Sequence, residues 1–138
     1  MNLLEKVGES VKPFPFILNY FLRTNETLNT RKFPLVIINR NPNSQLINRS
    51  GNLCEQTDFL IFFIQKTTKD RYSIENEKLI NEMNKLALGF LRKVRKENVL
   101  SIIGEVRLSK LYDYKDANVT GVGLSITLRE NFGNIEKK

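Results

Sequence analysis

The residues of this chain that could do chemistry are few and scattered. Cys54 is the only cysteine and histidine is absent. A thiol attacks only as the thiolate, which needs a neighbouring base or a lowered pKa. With no imidazole in the chain, Cys54 reads as a buried or edge-strand thiol. One cysteine also leaves no intrachain disulfide and no thiolate set for a metal. Asp113, Asp116 and Asn118 bring oxygen donors close together, as a hard cation would need, but their spacing fits no calcium loop. Aspartate and asparagine also favour turns by bonding nearby backbone groups. Asp116, Asn118, Thr120 and Gly121 are therefore expected to form a structural turn, with Gly121 free to take a positive φ. Glu75, Glu77 and Glu82 lie on or near one helical segment with no opposed pair of carboxylates for acid–base work, and solvent exposure accounts for them. Gly121-Val122-Gly123 lacks the spacing of a phosphate or dinucleotide loop and opens a strand, not a helix. The expectation is a protein that is not an enzyme and has no cofactor and no metal.

The remaining chemical signal is charge. Twenty-two lysines and arginines against 15 aspartates and glutamates give a net charge of +7. Net charge speaks to association, not to fold. Arg92, Lys93, Arg95 and Lys96 concentrate it within about a turn and a half of helix. Such a cluster can contact phosphates in a salt-sensitive way. It can equally be a solvated last turn that complements the helix dipole, and no stacking aromatics accompany it as in a single-strand binder. Tyr112 and Tyr114, on one face of a strand, suit either an interface or the rim of the core.

These groups must be positioned by a short list of elements. At 138 residues, 41% hydrophobic and 27% charged, the chain suits a single domain whose core is held by packing alone. Leu3, Leu4, Val7 and Val11 have the spacing of a short helix, stopped by Pro13 and Pro15. Phe16–Leu22 is an apolar stretch read as extended, and Phe33–Asn39 reads as a strand that tolerates proline at its second position. Residues 40–52, rich in asparagine, serine and arginine, are expected to form a loop or projecting hairpin. The unbroken run Phe59–Ile64 is the central strand. A helix over 73–96 follows, with Ser73 as N-cap and Ile80, Met83, Ala87, Phe90, Leu91 and Val94 as its buried stripe. Val106–Tyr114 and the alternating Val122–Arg129 close the list as two strands. The expected fold is α+β: a mixed or antiparallel sheet of about four to five strands, one long helix packed across it, and a short N-terminal helix. Residues 1–32 would be helix and extended arm, 33–130 the core, and 131–138 a polar tail. No apolar run approaches the ~20 residues of a membrane span, and the first residues lack an export signal. Cytoplasmic synthesis without membrane association is expected.

This succession resembles tail terminator and tail completion proteins of tailed bacteriophages and the related ring proteins of the head-tail junction. The resemblance covers most of the chain. It is carried by Phe33-Pro34-Leu35-Val36-Ile37-Ile38, by Phe59–Ile64 leading into the long helix, and by Asp116-Ala117-Asn118-Val119-Thr120-Gly121-Val122-Gly123-Leu124. That last segment is similar to a "D-x-N-x-T-G-hydrophobic" pattern of phages with Bacteroidota hosts. The resemblance implies a virion protein of the neck or tail, a homo-oligomeric ring around the DNA channel. Its neighbours would be portal, connector and tail proteins, and it would lie near genomic DNA without reading bases. Head-to-tail rings need two unlike surfaces on each subunit. The candidates are the edge strands and the loop carrying Arg40, Asn41, Asn43, Gln45, Arg49 and Asn52. The alternative is a basic nucleic-acid-binding accessory protein using Arg92, Lys93, Arg95 and Lys96.

Overall fold

The computed structural model describes residues 3–10, 16–18, 34–49, 51–67, 74–112 and 119–130. In chain order they form α1 (Leu3–Ser10), β1 (Phe16–Leu18), β2 (Leu35–Arg40), β3 (Gln45–Arg49), β4 (Asn52–Lys66), α2 (Ile74–Glu97), β5 (Leu100–Leu111) and β6 (Val119–Glu130). The fold is α+β, with one six-stranded sheet in the order β1-β2-β4-β6-β5 and β3 paired to β4 beside that path. β1 runs parallel to β2, and the other pairings are antiparallel. The expected class, long helix and short N-terminal helix are all present. The strand number is raised by β3, because residues 40–52 are largely a hairpin.

β4 is central because its middle segment is apolar on both faces. It pairs with β2 from Leu35↔Ile64 to Arg40↔Phe59, and with β6 from Gln56↔Arg129 to Lys66↔Val119. On one face Phe59, Ile61 and Phe63 join Val36, Ile38, Val122, Leu124, Ile126 and Leu128 beneath the helices. α2 contributes Ile80, Met83, Ala87, Phe90 and Val94, and α1 contributes Leu3 and Val7. Their spacing of three and four residues gives α2 one buried stripe. Phe63 and Phe90 meet with ring centroids 5.9 Å apart at 52°. Burying each such large side chain is worth about 1.5–3 kcal/mol, so the stripe, not intrinsic helix propensity, holds α2 on the sheet. On the opposite face Leu35, Ile37, Phe62 and Ile64 are also buried.

Two expectations change here. Thr120 and Gly121 do not belong to a turn but lie inside β6, paired with Gln65 and Ile64. Gly121 has no positive φ; among the described residues the glycines that do are Gly51 and Gly104. It is glycine because the backbones approach closely, so that a Cβ there would collide with the carbonyl oxygen of Phe63. Thr120 is buried, its hydroxyl 2.7 Å from that of Thr67. Asp113, Tyr114, Asp116 and Asn118 lie outside the described residues, as do Ser73 and the segment 19–22. The second change is β5, which starts at Leu100 and not near Val106. A register shift between Ile103 and Arg107, with Gly104 at φ 70°, bulges the strand. A bulge breaks the period of two by which a strand is read.

Candidate functional site

The candidate inter-subunit loop is largely regular structure. Arg40 is the last residue of β2, Gln45 and Arg49 belong to β3, and Asn52 opens β4; Asn41 and Asn43 lie in the connection. Arg49 pairs with Asn52, and Gly51 turns the hairpin at φ 85°. The connection is tied to β4 by short bonds. Asn41 donates its N–H to the Asp58 carbonyl at 2.9 Å, and its Oδ1 accepts from the Asn43 N–H at 2.9 Å. The Thr57 hydroxyl lies 3.4 and 3.2 Å from the carbonyls of Asn41 and Asn43. Arg40 is engaged within the chain, with Nη1 3.5 Å from Glu55 Oε2. Gln56 donates to Gln45 at 3.3 Å.

What stands out on this hairpin is apolar. Leu46 is 69% exposed and Leu53 is 64% exposed. The pairs Leu46↔Glu55 and Asn48↔Leu53 put both leucines on one face, as diagonal neighbours. Period two along β4 carries that face on to Phe59, Ile61 and Phe63, the helix-bearing side. The opposite side holds Ile47, half-buried, and Cys54, fully buried. Sequence reasoning missed the leucines because Leu46-Ile47 and Leu53-Cys54 place apolar residues on both faces, so no alternation marks the exposed ones.

The other flank is β5. It pairs with β6, and among the described residues no strand lies along its outer side. Between its first half and the end of α2 runs a groove of about 400 Å³, lined by Leu91, Arg95, Asn98, Leu100, Ser101, Ile102, Gly104 and Val106. The helix stops there because Asn98 takes a left-handed conformation (φ 58°) and its N–H returns to the Val94 carbonyl at 3.3 Å, a cap usually made by glycine. The basic cluster occupies these last turns. Arg92, Arg95 and Lys96 are exposed and Lys93 is half-buried. Across the sheet a polar groove of about 510 Å³ connects the β3 base to the bulge, with Asp58 and Glu105 in its lining. Asp58 accepts a bond from the Thr127 hydroxyl.

The other candidates stay apart. Glu75 and Glu82 are exposed on α2 and Glu77 is half-buried, and none of them faces Cys54 across a shared site. Tyr112 packs half-buried against the core. Among the described residues no three histidine, cysteine, aspartate or glutamate side chains converge as a metal site would require. Nor is any described helix long and apolar enough to cross a membrane. No protein-family model matches the chain, and no curated protein matches it in sequence.

Proposed function

We propose that this chain is a structural subunit of a tailed-bacteriophage virion, closing into a homo-oligomeric ring at the neck or tail terminus around the DNA channel. The observation behind this reading is that, among the described residues, the sheet has two unlike flanks, β1 with the β3–β4 hairpin projecting beside it on one side and the grooved edge of β5 on the other. A subunit that meets copies of itself through unlike surfaces makes rings or filaments, whereas identical patches make two-fold dimers. The resemblance to tail terminators supports the same reading, with portal or connector and tail proteins above and below. The subunit would be made in the host cytoplasm and carried in the virion. Much of the positive surface would face acidic partner proteins, because tight phosphate contacts would hold back moving DNA. Electron microscopy of the purified protein and of virions tests the idea. Annular particles are expected; a chain that stays monomeric at every concentration and is missing from virions would sink it.

A second reading, a basic nucleic-acid-binding accessory protein, has one observation in its favour: Arg92, Arg95 and Lys96 are exposed together on the last turns of α2. A monomer whose duplex affinity falls steeply with salt would establish it.

A further inference from the structure

We infer that the subunit contact is a knob-and-groove joint between copies, in which Leu46 and Leu53 of one copy enter the α2–β5 groove of the next while β3 lies along β5. This inference rests on the ring reading above and specifies its joint. Chemistry matches first. The most solvent-exposed leucines of the described chain stand on the hairpin, and the groove is of mixed character, with Leu91, Leu100, Ile102 and Val106 as its apolar wall and Arg95, Asn98 and Ser101 as its polar one. A groove of about 400 Å³ has room for two leucine side chains.

Position matches as well. Leu46 pairs with Glu55, the Glu55 N–H donates to the Glu130 carboxylate at 3.2 Å, and Glu130 pairs with Leu100 in the groove wall. Knob and groove therefore stand at one level of the sheet, on opposite flanks, which is where a closed ring without axial rise needs them. Direction agrees too. β3 is antiparallel to β4, β4 to β6, and β6 to β5, so β3 and β5 run in opposite senses. Copies standing upright side by side present β3 of one antiparallel to β5 of its neighbour. The leucines share the helix-bearing face, the same face on which the groove opens.

Size decides for many copies over two. The hairpin offers far fewer residues than the roughly 20–30 a side of a standard interface, so one joint is weak. A closed ring uses every knob and every groove, and closure makes the last joint intramolecular.

The test has two arms. Below the concentration at which rings form, Leu46→Ser/Leu53→Ser should keep the wild-type melting temperature, since both side chains are exposed on the single subunit, and it should raise the concentration needed for rings at least tenfold by light scattering. Separately, a chain with Leu46→Cys on β3 and Ile102→Cys on β5, strands that the joint makes neighbours about 4.8 Å apart, its native Cys54 buried, should give on oxidation a ladder of dimers, trimers and higher species on a non-reducing gel. Wild-type assembly by the serine variant, a ladder that stops at dimer, or no cross-link would overturn the joint while leaving the ring itself standing. A wild-type chain that never assembles would overturn both.

Discussion

Gly121 and Gly89 sit in opposite circumstances. A Cβ at Gly121 would meet the Phe63 carbonyl oxygen, whereas at Gly89, on the exposed side of α2, it would meet nothing within 4 Å. Gly121→Ala must push β4 and β6 apart, and overpacking of this kind costs at least ~1–3 kcal/mol. Gly89→Ala removes a helix-interior glycine and should add about 1 kcal/mol. Urea midpoints should therefore move in opposite directions, and equal midpoints would show that the close approach at β6 is not there. Asn39 makes a second case. It is 4% exposed on β2, and among the described residues neither polar atom of its amide has a hydrogen-bond partner. A buried amide in that state costs about 1–3 kcal/mol, so Asn39→Leu should raise the urea midpoint. A lower midpoint would mean that the amide is engaged after all.

At the scale of elements, the end of α2 is the joint between helix and groove. Asn98 holds a φ of 58°, which glycine adopts without cost and a β-branched residue resists. Asn98→Gly should leave stability within a few tenths of a kcal/mol, and Asn98→Val should lose about 1–2 kcal/mol, read from thermal melts followed by circular dichroism. Equal losses would show that the left-handed cap is not needed. α2 was legible in the sequence because Ile80, Met83, Ala87, Phe90 and Val94 recur at helical spacing and are the residues buried. The middle of β4 and the alternation of β6 were legible for similar reasons. Asn76, fully buried on the same stripe, was not, since a polar side chain hides a core position. The first half of β5 was concealed by its bulge, and β3 by its shortness. The hairpin's place was readable from Ser50-Gly51-Asn52, but its polar residues drew the reading. Arg40 in fact spends its charge on Glu55, and the exposed leucines emerge only once the register is known.

At the scale of the molecule, the question is whether the +7 charge serves DNA or assembly, and the ends of the sheet separate the two. Arg92 and Lys96 are exposed on the last turns of α2 but do not line the groove, whereas Arg95 does. Replacing Arg92 and Lys96 with glutamine leaves knob, groove and β5 unchanged. If the ring reading holds, the double variant assembles at the wild-type concentration, and binding of either protein to duplex DNA is weak. If those cations instead grip phosphates, each lost contact lowers the slope of log affinity against log salt by about 0.9. Two contacts would then remove roughly 1.8 from the slope, while assembly, if any, would not respond. Measuring DNA affinity at several salt concentrations beside light scattering on the same samples reads both quantities at once. A drop in slope of that size, with no annular particles from either protein, would transfer the function from the flanks of the sheet to the end of the helix.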